Sequence, residues 1–150
     1  MATRSLAIMR PVPASLKRCE LTYQARVPID IDRARRQHDE YQRSLARHGY
    51  QILELPEQPE LADSVFVEDT AVVLDELAVI TRPGAESRRA EIPSVRAALA
   101  RYRELCEITA PGTLDGGDVL RNGRQVFVGR STRTNQAAID QLRDILRTFD

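Results

Sequence analysis

Three carboxylates, Asp63, Glu68 and Asp69, fall within seven residues on a segment that also carries the apolar Val65 and Val67. Carboxylates beside a buried stretch are costly unless a cation meets them. A planar guanidinium or amidinium meets them best, because its paired N–H groups match the two oxygens of a carboxylate. Two sources of that partner are open: one of the chain's own arginines, or a bound small molecule. Read as one extended strand, the segment puts Asp63 and Asp69 on the face of Val65 and Val67, with Glu68 on the other face.

A second acidic stretch reads Thr113-Leu114-Asp115-Gly116-Gly117-Asp118-Val119-Leu120. Paired glycines inside a strand-like run imply a bulge or a close approach of the backbone to a ligand, and that distortion would aim the flanking aspartates. An ordinary Gly-Gly loop is the plainer alternative. The glycines lack the spacing of a phosphate loop. Arg88-Arg89 and Arg133 stand at expected helix starts, an end of the helix dipole that favours anions. An arginine beside free N–H groups makes a corner for a carboxylate; Arg89 reads instead as a solvated surface residue. His38, His48, Cys19 and Cys106 read as structural. No Cys/His spacing suggests a metal, and neither cysteine has a histidine near it in sequence.

These side chains need elements to hold them. A helix is expected from Asp32 to His48, with Ala34, His38, Tyr41, Leu45 and Arg47 along an inward stripe, Asp30 or Asp32 as its cap and Gly49 at its end. A strand over 50–55 and a proline-rich loop over 56–59 follow. Apolar runs at 71–74 and 77–80, joined by Asp75-Glu76, predict a hairpin. Ser87 would cap a helix over 88–102, with Pro93 in its first turns. A second hairpin pairs 114–120 with 125–128 through Asn122-Gly123. Ser131 or Thr132 would cap a last helix ending near Phe149.

The segments repeat. Leu6-Ala7-Ile8-Met9-Arg10-Pro11 is echoed by Leu77-Ala78-Val79-Ile80-Thr81-Arg82-Pro83 and, more faintly, by Val126-Phe127-Val128-Gly129-Arg130. Units of roughly 45 residues cannot bury a face alone, so they stack or arrange themselves around an axis. The last helix has no strand to return to, so the final unit reads as unfinished and the chain as truncated.

Composition narrows the function. At 150 residues with 42% hydrophobic content, the chain suits one domain with one core. Lys plus Arg and Asp plus Glu total 22 each. That balance leaves no net field to draw the chain onto nucleic acid or an anionic membrane. No apolar run nears the roughly 20 residues of a membrane span. A cytoplasmic location is expected.

The stretch 63–89, DSVFVEDTAVVLDELAVITRPGAESRR, together with TLDGGDVL and VFVGRSTRTNQ, closely resembles the dimethylarginine dimethylaminohydrolase family. The likeness runs through essentially the whole chain, including MRPVP and RQHDEY. Members of that family release dimethylamine from asymmetric dimethylarginine, or methylamine from monomethylarginine, and leave citrulline. The resemblance implies an α/β fold of the pentein type, a propeller of five strand-helix units. Residues 1–150 would be the N-terminal part of that one domain, about three units of the five.

By the same resemblance, Glu68 and Asp69, with Asp63 beside them, hold the substrate's guanidinium. Arg88 and Arg133 grip its amino-acid end, mainly the carboxylate. Leu21 belongs to a mobile loop whose backbone covers the substrate. Asp115 orients the catalytic histidine and raises its basicity. No cofactor or metal is implied. The partner is a small methylated arginine, and open propeller faces would favour a homo-oligomer.

The family's nucleophilic cysteine and general-acid histidine lie further along than Asp150. The thiolate and proton chemistry therefore has no residues here, and the chain alone is expected to be inactive. Two other readings remain. One is an arginine deiminase or amidinotransferase of the same fold. The other is a non-catalytic chain that binds arginine-like ligands or assembles with itself.

Overall fold

Strands β1 (Leu6–Met9) and β2 (Gln51–Glu54) lie side by side in parallel, Ile8 opposite Leu53. A parallel pair needs a crossover, which helix α1 (Ile31–Arg47) supplies. The computed structural model describes residues 5–148, and these divide into two compact units between Val67 and Glu68.

In the first unit, Asp30 caps α1 by accepting the Arg33 N–H at 2.9 Å. Gly49, at φ +88°, ends it in the left-handed conformation that a Cβ strains. Ala34, His38 and Leu45 are half-buried as expected, but Arg47 is exposed and Tyr41 is 59% exposed. The inward stripe is narrower than the sequence suggested. It runs through Ile31, Ala34, His38, Gln42 and Leu45, and this leaves Tyr41 at its edge. Val12, Leu16 and Cys19 form the small core, with Ile29, Ile31, Ala34 and Val65 packed against it.

In the second unit, β3 (Ala71–Val73) and β4 (Leu77–Ile80) form the hairpin expected around Asp75-Glu76. Strand β5 (Glu104–Glu107) returns parallel to β4 through α2 (Ile92–Leu99), with Val79 opposite Cys106. All four residues of β4 are buried, as a central strand covered on both faces requires. Strands β6 (Val119–Asn122) and β7 (Gln125–Val128) make the second hairpin. Asn122 pairs with Gln125, so the turn itself is Gly123-Arg124. Helix α3 (Gln136–Arg147) lays Ala138 and Leu142 onto Val72, Leu74, Leu77, Val79, Ile108 and Leu114. The repetition shows in the connections, since β1–α1–β2 and β4–α2–β5 are each a parallel pair bridged by a helix.

The expected strand through 63–69 is instead a chain of turns. Ser64 and Phe66 donate their N–H groups to Leu61 and Asp63, and Val67–Thr70 is a 3-10 turn. Main-chain groups here bond locally, so the alternation of valines does not sort the acids onto two faces. The 114–120 strand likewise shortens to β6, because Gly116–Asp118 is a 3-10 turn.

The helix expected from residue 88 opens as a 3-10 stretch, Glu86–Glu91, and becomes α-helical only at Ile92. Pro93 is tolerated only in a first turn, so it fixes that start, and Ser87 is not the cap. Asn135, not Ser131 or Thr132, caps α3 by accepting the Ala138 N–H. Phe149, the expected end of that helix, lies outside the described residues. No helix among the described residues is long and apolar enough to cross a membrane.

Candidate functional site

In the second unit, the carboxylate of Asp69 stands at the exit of the 3-10 turn that leads into β3. The Thr81 hydroxyl donates to the Asp69 carbonyl oxygen at 2.8 Å and fastens that turn to the end of β4. Asp69 Oδ2 accepts from Arg88 Nη1 at 2.5 Å, and Oδ1 accepts the Gly117 N–H at 3.1 Å. Arg88 in turn donates Nε to Glu91 Oε1 at 3.1 Å and Nη2 to Oε2 at 2.9 Å. The Arg88 and Glu91 side chains are 2% exposed, that of Asp69 18%. Burial alone would lower the Arg88 pKa. The carboxylates of Glu91 and Asp69 outweigh it and hold the guanidinium above its ordinary value.

This arrangement corrects the spacing read from sequence. Asp69 and Arg88 were expected at opposite ends of a ligand, yet they touch. The 3-10 stretch carries Arg88 inward, so its side chain is not an open corner for a carboxylate. In this structure an internal arginine meets Asp69 on Oδ2, and the Asp69 side chain keeps 18% of its surface exposed. Glu68 is exposed and makes no ion pair among the described residues. Desolvation raises its carboxyl pKa and the Asp69 charge adds to this, against its own backbone N–H and Arg88.

Asp115 is 1% exposed. Its Oδ1 accepts the Gly84 N–H at 3.0 Å. Its Oδ2 has no hydrogen bond among the described residues and lies 3.4 Å from Arg133 Nε. Desolvation raises its pKa; the Gly84 N–H opposes, the Asp69 charge adds, and Arg133 and Arg88 oppose. The Arg133 side chain remains 37% exposed.

Both Asp115 and Arg133 are held through Asp118. The hydroxyls of Ser131 and Thr134 donate to Asp118 Oδ2 at 2.7 and 2.6 Å. Ser131 Oγ then accepts the Arg133 N–H at 3.0 Å, and Thr134 Oγ1 accepts the Asp115 N–H at 3.2 Å. Crowding within the protein accounts for the two glycines between the aspartates. A Cβ on Gly116 would overlap the Glu68 carbonyl oxygen, and one on Gly117 would meet Asp69 Oδ1 at 2.7 Å.

In the first unit, Leu21 is 42% exposed in the irregular stretch after Cys19. Both Asp63 oxygens accept the neighbouring Glu20 N–H, at 3.2 and 3.0 Å. Asp63, 7% exposed, thus pins the start of the segment that carries Leu21. Arg26 reaches back to the carbonyl oxygens of Lys17 and Cys19 at 2.6 and 2.7 Å and closes the same segment.

Glu91 was missed in the sequence reading, although its place three residues after Arg88 is an ion-pair spacing on a helical turn. Among the described residues no group of three His, Cys, Asp or Glu is placed to hold a metal ion.

No family model matches the chain. It is 44% identical over 146 residues to the N(G),N(G)-dimethylarginine dimethylaminohydrolase of Streptomyces coelicolor, covering 95% of this chain and 55% of that protein. The enzyme of the same name from Pseudomonas aeruginosa is 39% identical over 119 residues, covering 78% of this chain and 47% of that protein. The crystal structure of a Pseudomonas aeruginosa dimethylarginine dimethylaminohydrolase variant complexed with citrulline matches with a TM-score of 0.90 at 36% identity, covering 94% of this chain and 56% of that one. The N-terminal domain of a cyanobacterial arginine dihydrolase matches with a TM-score of 0.82, covering 93% of this chain and 54% of that one. At 19% identity this last likeness speaks for the shared mixed α/β, pentein fold alone. The chain spans about half the length of the curated relatives it matches. Over the part it spans, it belongs to the dimethylarginine dimethylaminohydrolase family.

Proposed function

We propose that this chain carries the substrate-binding and histidine-orienting part of a hydrolase for asymmetric dimethylarginine and monomethylarginine. The observation that carries the reading is Asp115, a buried carboxylate with one oxygen on Gly84 and the other without a hydrogen-bond donor among the described residues. Such a group costs stability, and sites of chemistry are where such costs are kept. The family resemblance names the missing donor as a histidine, whose basicity the carboxylate raises.

Glu68 and Asp69 receive the guanidinium. Arg133, with its exposed side chain, takes the ligand's carboxylate, and Arg88 serves by holding Asp69. By the same resemblance Leu21 belongs to a substrate-covering loop, and Asp63 holds the start of that segment. The complete architecture is a five-unit propeller of which about three units are present. The nucleophilic cysteine and general-acid histidine come from further along than residue 150. Thiolate attack on the guanidinium carbon expels the amine, which takes its proton from the histidine. Water then breaks the carbon–sulfur bond, releases citrulline and restores the thiol. The chain alone is inactive on this reading.

The test joins residues 1–150 in frame to the C-terminal half of the Streptomyces coelicolor relative and measures citrulline release. We expect turnover of dimethylarginine, a fall in kcat of about 100-fold or more in Asp115→Ala, and none from the chain alone. Preferential turnover of unmethylated arginine would identify a deiminase instead. Turnover by the 150-residue chain alone would overturn the placement of the nucleophile.

A further inference from the structure

We propose that Glu91 is a positioning residue: its two-point grip on Arg88 aims Nη1 of that arginine at Asp69 and leaves the three groups with one net negative charge for a cationic ligand. The inference deepens the reading of Asp69 as a guanidinium acceptor and rests on it. Glu91 takes one whole edge of the Arg88 fork, Nε at 3.1 Å and Nη2 at 2.9 Å, and Nη1 on the other side meets Asp69 Oδ2 at 2.5 Å. A planar fork held along one edge has no freedom to swing the other. Both side chains of the edge pair are 2% exposed, so neither exchanges its partner for water. The Gly117 N–H fixes the second oxygen of Asp69, and the plane of that carboxylate is set from two sides.

Charge gives the proposal its second consequence. Two carboxylates share one guanidinium, so the set as a whole attracts a cation. Neutralising Glu91 removes one negative charge from this set and leaves the Arg88–Asp69 pair balanced. The affinity for cationic dimethylarginine then falls, while that for citrulline, whose side chain is neutral, does not. Loss of packing alone would weaken both ligands together.

The test uses the full chain and its Glu91→Gln variant. Dissociation constants for dimethylarginine and for citrulline are measured by calorimetry, and the Arg88 side-chain hydrogens are followed by NMR. We expect dimethylarginine to bind about tenfold more weakly and citrulline within about twofold of the parent. The Arg88 Nη hydrogens, separate and slow to exchange in the parent, should merge through rotation about Nε–Cζ. Unchanged Arg88 signals in Glu91→Gln, or equal weakening of both ligands, would overturn the proposal. If the parent binds neither ligand, the guanidine-binding reading fails, and the Arg88 signals still decide whether Glu91 aims it. Should Glu91→Gln not fold, Asp69→Asn answers from the other side. Nε and Nη2 must then stay protected by Glu91 while Nη1 is released, and loss of protection at all three would sink the idea.

Discussion

The hydroxyl of Thr134 is shared by two aspartates: it donates to Asp118 Oδ2 at 2.6 Å and accepts the Asp115 N–H at 3.2 Å. Because an ionised carboxylate only accepts, Asp118 dictates which way the hydroxyl points and so frees its lone pair for Asp115. Thr134→Val keeps the shape and removes both bonds at a site that is fully buried. It should lower unfolding stability by about 1–3 kcal/mol in urea titrations, and Thr134→Ser by clearly less. A larger loss in Thr134→Ser than in Thr134→Val would mean that packing of the methyl group, and not the hydroxyl, holds this loop.

Gly116 and Gly123 separate two reasons for being glycine. A Cβ at Gly116 runs into the Glu68 carbonyl, whereas one at Gly123 meets open space but must tolerate φ +61°. Alanine should cost about 1–3 kcal/mol at 116 through overpacking, with main chain as the immovable neighbour. At 123 the cost should be about 1 kcal/mol, from backbone strain alone. Thermal melts of the two variants, scored for which falls further, check the ranking.

Arg88 and Arg133 should differ sharply when each is replaced by methionine. Removing Arg88 strands the carboxylates of Asp69 and Glu91 without their cation, a loss of about 3–5 kcal/mol. Arg133 is 37% exposed, and its replacement should cost about 1 kcal/mol or less. Guanidinium denaturation of both variants distinguishes them. Similar costs would contradict the burial seen here.

The raised pKa of Asp115 has a definite sign in stability. The folded chain holds this proton above the ordinary value of 3.8, so between the two values the native state binds more protons than the unfolded one. The associated stability is therefore complete below that ordinary value and is lost as pH rises through the folded one. Asp115→Asn keeps an acceptor for the Gly84 N–H and does not titrate. The melting temperature of the parent minus that of the variant should decline as pH rises from the ordinary value of 3.8. A difference that stays level, or climbs, is the contrary result.

Both hairpins were legible in sequence because apolar runs and turn residues are local signals, and β3–β4 and β6–β7 lie close to where those signals put them. The acids of 63–69 were legible as residue types but not as geometry, since alternating valines fit a strand and a run of turns equally well. Arg88 meets Asp69 across 19 positions, a contact decided by how Glu86–Glu91 winds and not by spacing. Glu91 stood at a visible ion-pair interval, yet burial is what separates this pair from a solvated one. The sequence reading offered Ser131 or Thr132 as the cap of α3 and passed over Asn135. Asn135 wins because its side chain also accepts the Thr113 N–H at 3.1 Å, while Ser131 is committed to Asp118.

Gly84 has the backbone of Arg133 where a side chain would otherwise go, and its N–H rests on Asp115. Two loops that cross main chain to main chain keep their separation whatever neighbouring side chains are exchanged. Diversification toward other guanidino compounds can therefore rewrite positions 68 and 133 without disturbing the crossing itself. Position 84 admits no such variation, and a mutational library that randomises it will lose the frame before it samples a new specificity.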